Sequence, residues 1–294
     1  MRVREMAFYI EQIDFEECAL SVTNNTINNI IKYKKALDIL ENVSILQDDI
    51  REIVQGPLYS TPQDSLFISN DNIFRTVYRE SKNILDKASL LLSLSNVLSP
   101  PLSENTISIK LPETKDMTSL LKNMKSFESS LSFLVQCSPI NSTITVDNWE
   151  HGSFWLNLYA GSVLAVGVVS TAAWSAAVVS KKMAEAKYIE QQVRSLNIKN
   201  DSLADILEAQ KKETDLLLEN ETRALIDSHL ENHEDNEQFL RVKDSITILA
   251  ELIQQGAEVN PALSAPEDVK NLFPDYSKLD QVSSKIKQIE YKVN

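Results

Sequence analysis

The 294-residue sequence is acidic, with 29 Lys and Arg against 42 Asp and Glu and a net charge of −13. This charge argues against a nucleic-acid partner, since phosphate neutralisation needs clustered basic side chains. Five glycines and nine prolines are few for this length, which favours long helices over a turn-rich β architecture. The two cysteines, Cys18 and Cys137, are too few for a disulfide scaffold. We expect two reduced thiols, with a single disulfide as the alternative.

Residues 1–102 are expected to form a helical N-terminal region. Apolar side chains recur at threes and fours over 24–54, which predicts a helix, and a second helix is predicted over 72–98. The pattern of residues 5–20 is also typical of a helix, although its aromatic side chains make a strand the alternative. Acidic residues interrupt the first apolar run, so we predict no signal peptide and a chain that begins in the cytosol.

Residues 103–160 are expected to form a small α/β module. Apolar and polar side chains alternate over 106–111 (TISIKL) and again over 142–149, which is typical of strands. The residues between them predict an amphipathic helix over 115–136, and 154–159 is a candidate third strand. A sheet of this size needs a further element to cover it.

Residues 152–180 contain no charge, although 24% of the chain is charged. Roughly 20 helical residues cross a hydrocarbon core of ~30 Å, so we predict a transmembrane or inserting helix over 161–182. Two lysines follow it, and two aromatic residues precede it as an interfacial belt. The candidate residues of this helix and its borders are Phe154, Trp155, Tyr159, Gly161, Ala165, Gly167, Ala172, Trp174, Ala176, Lys181 and Lys182.

Insertion of this helix is expected to be marginal. Its seven Val and Leu residues contribute roughly −2 to −4 kcal/mol in total, and five Ser or Thr offset much of that. Gly161, Ala165, Ala172 and Ala176 form a stripe of small residues that favours close helix–helix packing, which would help if several copies associate. The alternative is an Ala-rich helix buried in a soluble bundle.

Basic residues after the helix predict that 181–294 stays cytoplasmic. The preceding 150 residues would then have to be exported without a signal peptide. We therefore favour a helix that is sheltered until a trigger releases it, in a protein of the cell inner membrane whose soluble parts are mostly cytoplasmic.

Beyond the lysines the helix is predicted to continue as a coiled-coil-like helix over 183–236. Its heptad seam comprises Ile189, Val193, Leu196, Asn200, Leu203, Leu207 and Leu217, and the polar Asn200 would fix the register of a homo-oligomer. A single amphipathic helix packed on its own domain is the alternative. Residues 237–294 are expected to form a C-terminal helical region, with a helix over 237–255, a loop over 259–268 and a short terminal helix over 278–291.

Candidate chemistry is sparse. His229 and His233 lie four residues apart, so a helix would place both on one face and could let them share a metal. The metalloprotease pattern needs Glu directly after the first His, and that is lacking here. The five glycines never cluster into a phosphate-binding loop. We expect no catalytic residues, no metal and no cofactor, and therefore no enzyme.

Four stretches carry a family resemblance: NWEHGSFWLNLYAGSVLAV, AWSAAVVSKK, RSLNIKNDSLADILEAQKKE and GAEVNPALSAPEDVKNLFPDY. Over about 105–280 the chain resembles uncharacterised bacterial proteins that have a small α/β module, a GS-x-W-L turn, a membrane helix and a coiled-coil helix. Some proteins of this build look like components of bacterial conflict or antiphage systems. The resemblance implies a membrane-acting effector, and residues 1–100 fall outside it.

We therefore expect a membrane-associated, oligomerising helical protein, namely a bacterial defence or toxin-type effector that perturbs a membrane. Its expected partners are the lipid bilayer, further copies of the chain and a sensor or partner protein. The alternative is a non-enzymatic coiled-coil scaffold, or a structural component of a phage or cell envelope, with the apolar helix buried between subunits.

Overall fold

The computed structural model describes residues 2–98, 102–103, 105–150, 154–195, 201–231, 233–263 and 265–286. The chain divides into two compact units, Met1–Pro101 and Leu102–Asn294. Each unit has its own hydrophobic core. The prediction of a mainly α protein with a small α+β module and one long apolar helix is confirmed, and the sheet of the module is antiparallel.

Unit 1 combines short helices, one long helix and a small antiparallel sheet. Its helices are α1 (Val3–Ile10), α2 (Phe15–Cys18), α3 (Ile30–Leu40), α4 (Gln47–Val54), α5 (Pro57–Ser60) and α6 (Asp71–Leu98). Its strands are β1 (Ser21–Thr23), β2 (Thr26–Asn28) and β3 (Ser65–Phe67), paired in the order β1-β2-β3.

The single helix predicted over 24–54 is wrong in its first part. Asn24 and Asn25 have φ values of 48° and 58° and join β1 to β2 as a two-residue hairpin. Two consecutive positive φ values are typical of the tight turns that connect antiparallel strands, and Asn tolerates that conformation. Helix α3 therefore starts only at Ile30, and a 3-10 turn at Ser44–Leu46 separates it from α4.

Unit 2 contains the α/β module, the apolar helix and the C-terminal region. Its strands are β4 (Thr106–Lys110), β5 (Thr145–Glu150), β6 (Trp155–Tyr159) and β7 (Glu258–Pro261). Its helices are α7 (Met117–Gln136), α8 (Val163–Ser195), α9 (Asp201–His229), α10 (Asn236–Gln254) and α11 (Glu267–Lys270). The segments that the sequence separates after residue 102 thus share one core.

The sheet of unit 2 is antiparallel, with strand order β5-β6-β4-β7. Strand β7 overlaps the loop predicted over 259–268, a stretch that follows Gly256 and contains Pro261 and Pro266. It pairs with β4 through Ile109 and Val259 and so completes the module from the far end of the chain. Inside the sheet, the Ser108 hydroxyl donates to the Asn157 side chain at 2.7 Å.

Helices α8 and α9 lie side by side and run in opposite directions. Three side-chain pairs fix this arrangement, because the partner's number falls as the number on α8 rises: Thr171 with His229, Ser175 with Glu221, and Lys182 with Glu213. One helix continuing from residue 180 through Leu217 cannot make such contacts with itself, so that prediction is wrong. The apolar segment and the following helix instead form an antiparallel pair.

The C-terminal helix predicted over 278–291 is interrupted in the part that the structure describes, where only Ile286 is α-helical. A 3-10 turn spans Tyr276–Gln281, and residues 282–284 have no regular secondary structure. The predicted residues beyond 286 lie outside the described chain.

Substitution of Gly161 tests how tightly the turn that joins β6 to α8 packs against Ser142. Its φ is +83°, and a Cβ there would collide with the hydroxyl oxygen of Ser142. We expect Gly161→Ala to lower the free energy of unfolding by roughly 2–4 kcal/mol. The matched control is Gly256→Ala, because Gly256 has a φ of +93° with open space around it. Strain alone should cost that variant about 1–2 kcal/mol. Equal losses in urea denaturation would contradict the role of Ser142.

Candidate functional site

The apolar helix α8 lies in the middle of unit 2. In the part of the chain that the structure describes, Val163–Gln192 is the helix long and apolar enough to cross a bilayer, and 72% of its most apolar 18-residue window is buried within the protein. Helices α9 and α10 make its most extensive contacts, with α7, β7 and the Tyr276–Gln281 turn adding smaller ones. A core helix of a soluble protein passes the same length and composition test.

Three of the four predicted stripe residues, Ala165, Ala172 and Ala176, are fully buried in the core of their own chain. That core also contains Leu225 of α9 and Leu249 of α10. Small side chains let neighbouring backbones approach closely, so a stripe suited to packing between copies serves here within one chain. The fourth residue, Gly161, precedes the helix and lies in the turn after β6.

The predicted border aromatics do not belong to the helix. Trp155 and Tyr159 lie in β6, and Phe154 lies in the turn before it. Trp155 is buried, whereas Phe154 is 55% exposed. The predicted belt residues Trp155 and Tyr159 thus lie on a strand that precedes the helix, in agreement with the candidate strand over 154–159, and their place at a membrane interface stays a prediction.

A row of polar contacts connects α8 to α9. The Thr171 hydroxyl lies 2.8 Å from Nε2 of His229, and the ring of His229 lies over Gly167. One turn further along, the Ser175 hydroxyl donates to Oε2 of Glu221 at 2.8 Å. These polar side chains face each other inside an otherwise apolar interface, so they fix the register of the two helices.

Glu221 is an unusual member of this row. Its side chain is 3% exposed, and its Oε1 has no hydrogen-bond partner among the described residues. A buried polar atom without a partner costs roughly 1–3 kcal/mol, and more if the group is charged. Sequence reasoning missed Glu221, although its position between Leu218 and Leu225 at helical spacing marks the buried face of α9.

The two lysines predicted as a membrane border both make contacts within the protein. Lys182 pairs with Glu213 of α9 at 2.8 Å. Lys181 donates from Nζ to the backbone carbonyl oxygens of Asp280 and Val282, at 2.5 and 3.2 Å. The end of the uncharged segment is thereby connected to α9 on one side and to the C-terminal segment on the other.

The C-terminal segment 276–286 packs on a further side of α8, a contact that the periodicity of the sequence does not predict. The Trp174 indole donates from Nε1 to the Ser283 carbonyl at 3.0 Å. Nζ of Lys285 lies 3.5 Å from the centre of the Trp174 ring, and burial lowers the pKa of Lys285. A cation over an indole face is an attractive contact, so this segment holds Trp174 through both its N–H and its ring.

The predicted heptad seam is divided between the two antiparallel helices. Ile189 lies on α8, and Leu207 and Leu217 lie on α9, each partly buried. Val193 and Leu203 fall within the helices. Leu196 and Asn200 lie outside the described residues. The alternative of a helix packed on its own domain thus describes this arrangement better than a continuous seam does.

The two histidines do not share a helix face. Helix α9 ends at His229, whose ring packs against α8, while His233 follows the helix and lies 3.1 Å from Asp227. Within the described residues, no group of three or more His, Cys, Asp or Glu side chains could hold a metal ion.

An open cleft of 290 Å³ lies at the C-terminal end of α7, next to the start of α10. Its lining includes Cys137, Ser138, Glu231 and Arg241. The Ser138 hydroxyl donates to Glu231 at 2.6 Å, and burial raises the pKa of the Cys137 thiol. A raised pKa leaves less of the Cys137 thiol as the reactive thiolate at neutral pH.

Comparison with known proteins identifies a bacterial relative. The "Uncharacterized protein YqaP" of Bacillus subtilis (strain 168) is 25% identical over 292 residues, which covers 95% of this chain and 94% of the relative. No family model and no solved structure matches the chain. The similarity to a bacterial protein extends over most of residues 1–100, which the sequence resemblance left out.

Because His229 is half-buried between α8 and α9, we expect the contact between these two helices to weaken in acid. Burial lowers its pKa below the usual 6.5, so the unfolded chain binds a proton at a higher pH than the folded protein does. The stability that neutral His229 contributes is fully present above about pH 6.5 and is lost as pH falls through the lowered pKa. Urea denaturation between about pH 8 and pH 5 should show a decline of at most about 1.4 kcal/mol per pH unit from this group.

The variant His229→Gln should flatten this decline, because an amide can bond to Thr171 without titrating. His233→Gln is the matched control, since His233 is 54% exposed. A decline that is the same in His229→Gln as in the natural protein would show that another group causes it.

Proposed function

We propose that this chain is a membrane-acting bacterial protein that stores its membrane-spanning helix inside a folded helical bundle. The observation that carries the proposal is α8 itself. Its first 18 residues carry no charge and are long enough with their neighbours to cross a bilayer, yet most of them are buried against α9 and α10. In this proposal the sheltered helix expected from the sequence is α8, and its cover consists of α9, α10 and the C-terminal segment.

The composition of α8 supports storage over permanent insertion. The seven Val and Leu residues favour lipid by only a few kcal/mol in total, roughly −2 to −4. In the bundle, Thr171 and Ser175 have polar partners on α9 that lipid does not offer. If the free energy of α8 is similar in the bundle and in lipid, binding of a partner protein with a free energy of a few kcal/mol is enough to move the helix from the bundle into lipid.

Association of copies would follow release. Ala165, Ala172 and Ala176 are covered in the folded protein and become available to other copies only when α8 leaves the bundle. Stripes of small residues favour association of helices in lipid. A released and assembled helix that perturbs a membrane is the action of a toxin-type or defence effector, in the inner membrane of a bacterium.

A non-enzymatic soluble scaffold is the second candidate, and the completeness of the burial of α8 favours it. Eight residues from Ala165 to Ala177 are at most 1% exposed. In this case α8 never leaves the bundle and simply provides the core on which α7, α9, α10 and the sheet pack.

Introducing charges at the exposed start of α8 distinguishes the effector from the scaffold. Val163 and Leu164 are 72% and 58% exposed, so the double variant Val163→Glu/Leu164→Glu should fold with little loss of stability. Insertion would take both carboxylates into the edge of the bilayer. We expect binding to phosphatidylethanolamine–phosphatidylglycerol vesicles, and the release of an enclosed dye, to fall at least about tenfold.

The matched control is Tyr188→Glu, which changes a residue that is 63% exposed and lies beyond the two lysines. Vesicle flotation should give the same binding for this variant as for the natural protein. A natural protein that never floats with vesicles, with or without a cell lysate as the source of a trigger, would support the scaffold and contradict the effector.

A further inference from the structure

The interface between α8 and α9 contains a buried carboxylate that is only half satisfied. Glu221 receives one hydrogen bond, from Ser175 at 2.8 Å, and its second oxygen has no partner among the described residues. Other acidic residues of α9 that contact α8 or α10 differ in this respect. Glu213 pairs with Lys182 and Glu219 with Lys243, and both are 40% or more exposed.

The surroundings of Glu221 are apolar or uncharged. The neighbouring core positions on α9 are Leu218 and Leu225, and the adjacent Thr222 is fully buried with its hydroxyl donating to the Leu218 carbonyl. On α8, Ser175 lies between the buried Ala172 and Ala176. A carboxylate in this position loses water without gaining a cation, which makes the folded bundle less stable than an apolar side chain of similar size would.

We propose that Glu221 is the release point of α8: a built-in destabilising group that keeps the stored form close in free energy to the released form. The inference rests on the proposed function. When α8 leaves the bundle, α9 loses the surface that covers Glu221, and the carboxylate regains water. The unfavourable burial therefore acts on the stored form alone and lowers the free energy needed for release.

Two polar contacts of α8 with other elements are complete hydrogen bonds. The Gln254 amide of α10 donates to the Ser180 carbonyl at 3.2 Å, and Trp174 donates to Ser283. Separation of α8 from α9 breaks the contacts of Thr171 with His229 and of Lys182 with Glu213, but it also returns the Glu221 carboxylate to water, so part of the cost of separation is recovered. The inference therefore places the release point at the α8–α9 interface.

The test replaces Glu221 in the full-length chain. Glu221→Met keeps approximately the same length without the charge, and Glu221→Gln keeps an oxygen for the Ser175 hydroxyl. We expect Glu221→Met to raise the midpoint of thermal unfolding by roughly 3–8 °C. In the same preparation, binding to dye-loaded phosphatidylethanolamine–phosphatidylglycerol vesicles should fall about tenfold, which corresponds to ~1.4 kcal/mol. Glu221→Gln should change both quantities in the same direction by less.

Glu208→Met is the matched control, because it removes the same charge from the same helix at a position that is 65% exposed. It should leave the unfolding midpoint and the vesicle binding close to those of the natural protein, which excludes net charge as the cause of the effect.

The outcomes separate this inference from the proposed function. If the natural protein binds vesicles and Glu221→Met binds them equally well, the release point is refuted while the membrane function stands. If Glu221→Met is less stable than the natural protein, Glu221 supports the bundle and the inference is likewise overturned. If the natural protein never binds vesicles, the proposed function fails and the release point fails with it.

Discussion

A helix that is apolar on every side must be covered on every side, and this requirement organises unit 2. The first 18 residues of α8 have no charged side chain to turn toward water. Helices α9 and α10 cover most of its surface, α7, β7 and the C-terminal segment cover further parts, and Val163 and Leu164 at its start stay exposed. The small side chains of α8 make this possible, since they let two helices approach it closely at the same time.

In the proposed function, the polar residues of α8 affect the stability of the helix both in the bundle and in lipid. Thr171 and Ser175 reduce its affinity for lipid, because a hydroxyl in hydrocarbon keeps at best a bond to its own helix. In the bundle the same hydroxyls reach His229 and Glu221 of α9. Each of them therefore shifts the balance toward the stored form. Glu221 shifts it back, because its burial is only partly compensated.

The effector and the scaffold differ in one quantity, the free energy of α8 in lipid relative to the bundle. The fold, the core and the contacts of α8 in the bundle are the same for both. A half-satisfied carboxylate at the centre of the α8–α9 interface is easier to understand in a bundle that opens than in one that stays closed. That asymmetry is why we place the membrane function first.

The amino-acid pattern by itself determined the mainly α character and the existence of an uncharged helix long enough to span a bilayer. It also predicted the helices that became α6, α7 and α10, because long periodic segments bury one continuous face. The amino-acid pattern did not predict the short elements. The Asn24-Asn25 hairpin and strand β7 depend on partners distant in the sequence, and their few residues carry too little periodicity to reveal them.

Only the tertiary structure decided what the apolar helix faces. Periodicity describes a helix and its faces but not the direction of the next helix, so one continuous seam and two antiparallel helices look alike between Ile189 and Leu217. The contacts of Thr171, Ser175 and Lys182 with α9 resolve that ambiguity. The same contacts place the small-residue stripe inside its own chain, since close packing is a property of the partner's surface as much as of the stripe.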